Sequence, residues 1–206
     1  RFGDRRRLGP DAQFRAVQLA KAKAQHPVHM HGSRHNAFRR SALQRQCFLQ
    51  HRQGISRVEI VGNRRIKASD LEVGAVAQVL PEIEDPEHRK LSDIAKDAVL
   101  LIRLRPQEFN LEADRLAMTH DGIIAFSKIC SHMGCAVALY EQQTKHLLCP
   151  CHQSTFDVTR AAKVIFGPSA RPLPQLDITI DGEGYLVARK PFSEPVGPSF
   201  WERNSQ

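Results

Sequence analysis

Cys130-Ser131-His132-Met133-Gly134-Cys135 and, after Ala136 to Leu148, Cys149-Pro150-Cys151-His152 are the stretches on which the reading of this chain turns. Each places a histidine two or three positions after a cysteine, and each carries one further cysteine. Two iron ions bridged by two sulfides need four terminal ligands, and two thiolates with two imidazoles meet that need. Cys130 and Cys149 then hold one iron, and His132 and His152 the other. Neutral imidazoles leave the added electron easier to accept than thiolates do, so the potential rises and the electron settles on the histidine side. Each histidine binds through one ring nitrogen and keeps the other near solvent, where its proton affinity depends on the charge of the iron behind it. One electron and one proton can therefore move together.

The surplus pair, Cys135 and Cys151, reads as a disulfide joining the two ligand-bearing loops rather than as two more ligands. A closed loop of about 15 residues contributes roughly 3 kcal/mol in the chain-entropy description. A zinc site is the competing reading of paired Cys and His, but its usual spacing is Cys-x-x-Cys with His-x(3 to 5)-His and no leftover cysteines. Chance core cysteines do not cluster four of five within Cys130 to Cys151.

Short stretches rich in β-branched and aromatic residues surround these boxes: VLLIRL, GIIAFSKI, HLLC, KVIF and LDITIDGEGYLVAR. They predict a mainly β domain. Asp181-Gly182-Glu183-Gly184 supplies the positive-φ residues of a tight hairpin between ITI and YLVA. LSDIAKDA reads as a short peripheral helical insert with Ser92 as its N-cap. Gly167-Pro168-Ser169-Ala170-Arg171-Pro172-Leu173-Pro174 reads as a rigid loop, since its prolines cannot continue a helix or a central strand.

Charge divides the chain. Residues 1 to 67 hold 16 Lys or Arg against 3 Asp or Glu, a net +13, while 68 to 206 carry a net -5. The basic segment contains His26, His29, His31 and His35, the thiol of Cys47, and little apolar periodicity. Its readings are a solvated, poorly ordered segment, a basic arm for anionic partners, a histidine metal site, or altered sequence in a chain that begins at Arg1. The first is preferred, and no nucleic-acid partner is expected. No run of 18 or more apolar residues offers a membrane span, and no signal peptide is recognisable. Residues 68 to 206 suffice for one compact domain with its own core.

The segments CSHMGC and CPCHQS resemble the two cluster-binding boxes of Rieske proteins from cytochrome bc complexes. Ring-hydroxylating oxygenases and Rieske ferredoxins share the four ligands but typically lack the cysteine pair, so Cys135 and Cys151 favour the bc-type branch. Through KASDLEVG, YEQQTKHLLCPCHQSTFD, the GPSARPLPQL run and EPVGPSFWER, roughly two thirds of the chain resembles the C-terminal half of the Rieske subunit of actinobacterial menaquinol:cytochrome c reductase. The resemblance implies a Rieske-type antiparallel β sandwich with cluster-binding loops and one [2Fe-2S] cluster. It also implies a role as an electron-transfer subunit that does not turn over alone. Its partners would be a cytochrome b subunit, a cytochrome c subunit and menaquinol, with the domain on the extracytoplasmic face of the cell membrane, reached through the complex or an anchor not in this chain. Quinol would hydrogen-bond to His132 or His152, and a tethered head would carry the electron onward. The competing class is a soluble Rieske ferredoxin feeding an oxygenase, which explains the missing anchor but not the cysteine pair. A third is an interaction protein with a decayed cluster site, which the intact ligands oppose.

Two departures bear on the potential. Many relatives have Gly and Tyr after the second histidine where this chain has Gln153 and Phe156. A tyrosine hydroxyl there would stabilise the reduced cluster by hydrogen-bonding a ligand sulfur, so Phe156 should lower the potential, while Ser154 can still donate to a bridging sulfide. The expectation is the lower half of the range of about -150 to +300 mV, which suits menaquinol. In the resembling family the proline-containing loop, here Gly167 and Pro168 onward, walls the cluster and tunes it from outside the ligands.

Overall fold

In this computed structural model, residues 65–81 and 96–203 are described, together with short strand pieces at 14–15, 55–57 and 59–60. The remainder of the basic segment, with its histidines and Cys47, lies outside the described residues, as does most of the expected helical insert with Ser92.

In chain order the strands are β1 (Phe14–Arg15), β2 (Ile55–Arg57), β3 (Glu59–Ile60), β4 (Val76–Pro81), β5 (Val99–Arg103), β6 (Ile123–Ser127), β7 (Leu139–Glu141), β8 (His146–Leu148), β9 (Thr155–Asp157), β10 (Lys163–Phe166), β11 (Gln175–Leu176), β12 (Ile178–Ile180) and β13 (Leu186–Ala188). Two four-residue helices are described, α1 (Ala113–Leu116) and α2 (Phe200–Arg203). One sheet runs β1-β4-β5-β6-β11 with β3 also on β4, a second runs β10-β9-β8-β7-β2, and β12 pairs with β13. Every pairing is antiparallel except β3 with β4.

The runs VLLI and IIAF are unbroken by polar residues because the first sheet is covered on both faces. Successive side chains of a strand point to opposite faces. Leu100 and Ile102 of β5 and Ile124 and Phe126 of β6 enter a core shared with Tyr140, Leu147, Phe156, Cys130 and Cys149. Their neighbours Val99, Leu101, Ile123 and Ala125 enter a separate core with Ile66, Leu71, Ile178, Leu186 and Ala188. The sheet is thus a partition, with the β7–β9 meander on one side and the β12–β13 hairpin on the other.

The strands expected around the cysteine boxes are present, as is the hairpin. In its turn the Asp181 carboxylate accepts from the backbone N–H of Glu183 and of Tyr185, each at 2.9 Å. Gly184 alone of the four turn residues takes a positive φ, +85°. Gly182 does not, because the side-chain bonds of Asp181 already shape that end of the turn.

Leu100→Ala and Leu101→Ala should each cost about 2–5 kcal/mol in denaturant unfolding, as buried leucines do. Only Leu100→Ala should speed labelling of Cys130 and Cys149 by a thiol reagent, since Leu101 faces the other core.

Candidate metal centre

Three loops converge at one end of the meander: 128–138 between β6 and β7, 149–154 between β8 and β9, and 167–174 between β10 and β11. The first two fold alike. Cys130 N–H donates to Cys135 O at 2.8 Å and Gly134 N–H to Cys130 O at 3.0 Å. In the second loop Cys149 N–H donates to Ser154 O and Gln153 N–H to Cys149 O, both at 2.9 Å. The residue four places after each cysteine must then be left-handed, and Gly134 has φ +79° and Gln153 φ +62°. Gln153 thus occupies a conformation that costs an L-residue roughly 1–2 kcal/mol.

This shared geometry places Cys130 and Cys149 at the floor, each 1% exposed, and His132 and His152 at the rim. The histidine Nδ1 atoms are 3.2 Å apart, with ring planes at 90°. Cys135 and Cys151 form a disulfide across the two loops, with Cα atoms 6.5 Å apart. Their sulfurs and that of Cys149 lie within 4.8 Å of one another.

The third loop is stitched onto both others. Ser169 N–H donates to Ser154 Oγ at 3.2 Å, and Ser169 Oγ lies 3.2 Å from Cys130 Sγ. Ser131 Oγ donates to Arg171 O. A Cβ on Gly167, whose φ is +89°, would meet Ser154 Cα at 2.6 Å and Gln153 O at 2.9 Å, so only glycine permits this approach. Pro168 beside it is exposed, while Leu173 is buried in the core that contains the two cysteines.

The electrostatics follow from this packing. Cys130 is held well below the usual thiol range, chiefly by a hydrogen bond from Cys149 and then by Ser169, the His132 backbone and Ser154, which together outweigh burial. Cys149 is pushed up, first by that same bond to Cys130 and then by burial. The donors placed around Cys130 favour its thiolate form over its thiol.

Such a donor set fits a [2Fe-2S] group. Two buried sulfurs sit among N–H and O–H donors, which suits thiolate-ligated iron, and two imidazoles present nitrogens to one another across a gap a metal can bridge. All four expected ligands, the expected disulfide and Ser154 are therefore in one place. Phe156, fully buried in β9, packs in the same core as Cys130 and Cys149. Sequence reasoning missed Ser169, whose only signal was its place between Pro168 and Ala170 in the rigid loop. It also missed Arg171.

Residues 86–177 match the Rieske [2Fe-2S] domain family. Over 142 residues the chain is 49% identical to the cytochrome bc1 complex Rieske iron-sulfur subunit of Streptomyces lividans, a stretch covering 68% of this chain and 83% of that protein. The same identity over the same length relates it to the subunit of that name in Streptomyces coelicolor, of which 40% is covered. Identity to the Mycobacterium tuberculosis subunit is 44% over 154 residues, 68% of this chain and 36% of that one. The chain thus spans two fifths or less of these two longer relatives.

Gln153→Gly should raise stability by about 1 kcal/mol by removing the left-handed strain, seen as a higher Tm in thermal unfolding. Replacing both Cys135 and Cys151 by Ser should lower stability by roughly 3 kcal/mol on the same scale.

Proposed function

Because the chain belongs to the Rieske iron-sulfur subunits of cytochrome bc1 complexes, we propose that it takes an electron from menaquinol and passes it to cytochrome c in respiration. It would act within a quinol:cytochrome c oxidoreductase beside a cytochrome b and a cytochrome c subunit. The observation that carries this reading is the split of the site into a dry floor and a wet rim. Cys130 and Cys149 are buried, whereas His132 is half-buried and His152 exposed, with their Nδ1 atoms 3.2 Å apart.

On this reading Cys130 and Cys149 would hold one iron, and His132 and His152 the other. The [2Fe-2S] group, when bound, supplies a one-electron acceptor whose charge is felt at the imidazoles. The ring nitrogen of His132 or His152 that is not engaged with iron would accept the hydrogen bond of a quinol hydroxyl and then its proton. The Cys135–Cys151 disulfide keeps the two loops from parting when the histidines engage a partner. Ser154 and Ser169 direct their hydroxyl groups towards sulfur and favour the reduced state, and Phe156 brings no donor to its place. Gly167 and Pro168 bring the third loop over the ligand loops.

The domain occupies residues 68–206 in this proposal and works on the extracytoplasmic face of the cell membrane, where a disulfide persists. No helix among the described residues is long and apolar enough to cross a membrane.

Low-temperature EPR of the dithionite-reduced, anaerobically purified protein tests the reading. A rhombic signal with an average g below that of all-cysteine clusters is expected, with two irons and two acid-labile sulfides per chain. Zinc in a colourless protein would sink it. Phe156→Tyr should raise the midpoint potential by roughly 40 mV, the equivalent of one hydrogen bond of about 1 kcal/mol in a one-electron couple. A redox titration of both proteins at one pH measures this.

A further inference from the structure

We propose that Trp201, the only tryptophan in the chain, is a positioning residue for His132: its indole closes over Gly134 and clasps the first ligand loop to the C-terminal segment. This rests on the reading of His132 as a ligand.

Main-chain bonds anchor Cys130, and the disulfide anchors Cys135. Between them the loop carries His132, exposed Met133 and Gly134. The indole supplies a wall there. A Cβ at Gly134 would lie 2.5 Å from Trp201 Cζ2, 2.8 Å from Cη2 and 3.6 Å from Pro198 Cδ, so the ring lies directly against the glycine backbone. The same ring fills the space at Gly197, which also has a positive φ, +86°, and would collide with a side chain there. Both glycines leave room for one aromatic ring between them.

Two further interactions hold the ring in place. The main-chain N–H of Trp201 donates to Pro198 O at 3.0 Å, and Lys96 Nζ stands 5.4 Å from the indole centroid, within cation-π range. Arg171 completes the clasp: its guanidinium donates to Gly197 O at 2.7 Å, and its own carbonyl accepts from Ser131 Oγ. The third loop, the first ligand loop and the chain end are thus joined around one indole. Removing the ring leaves Gly134 with open space on that side, and His132, two residues before it, loses the wall that fixes its loop.

The test compares wild type with Trp201→Ala and Trp201→Phe as cluster-loaded protein, by amide hydrogen exchange and EPR. In Trp201→Ala, exchange at 131–135 should rise by about tenfold or more while β5 and β6 keep their protection, as expected for a local opening. The g values of the reduced protein should shift. Trp201→Phe should restore most of both. Unchanged exchange at 131–135 overturns the proposal, and so does protection lost evenly over β5 and β6, which would mean a general stabilising role only. If Trp201→Ala does not fold, Trp201→Leu removes the flat ring while keeping apolar bulk, with the same loop-confined loss expected and unchanged exchange overturning the idea. Exchange reports on the loop whatever metal the purified protein holds. A wild type that failed to show a Rieske signal would therefore count against the proposed function and leave this contact separately testable.

Discussion

Two cysteine sulfurs held at the floor of one site inside an apolar core are the constraint on which this structure depends. Cys130 and Cys149 are as buried as the leucines and isoleucines around them, and the donors packed against Cys130 hold its thiol well below the usual range. Charge in such a place is costly unless donors surround it. Here the donors are the hydroxyls of Ser154 and Ser169 and the backbone of the ligand loops. Supplying them requires the repeated turn that bends each loop back on its cysteine, and a third loop that delivers Ser169 from the far side of the meander.

That arrangement needs a rigid base, and the first sheet provides it. Because β5 and β6 are covered on both faces, the sheet cannot shift towards the ligand loops without opening the second core behind it. The hairpin β12–β13 takes no part in the site, but it seals the other face of the same strands. Stability and site geometry are linked through side chains that alternate along single strands.

The rim differs in kind from the floor. His132 and His152 belong to the same loops as the cysteines but stand where water or a partner can reach them. The floor presents sulfur and its hydrogen bonds, and the rim presents imidazole. The disulfide and the third loop hold these two environments within a few ångströms of each other without letting them mix.

Much of this was legible in the residues. The Cys-x-His and Cys-x-x-His spacing, the surplus cysteine pair and the apolar runs of β5 and β6 are local patterns, and local chemistry gives them only a few meanings. Tertiary structure alone decided the rest. That Ser169 reaches Cys130 across 39 residues depends on how the third loop is packed. That Gln153 must be left-handed follows from hydrogen bonds closing its loop, and the seating of Trp201 on Gly134 depends on where the chain end returns. Ligand identity and strand periodicity are carried by neighbours in sequence, whereas burial, strain and the approach of distant loops are settled only when the whole core closes.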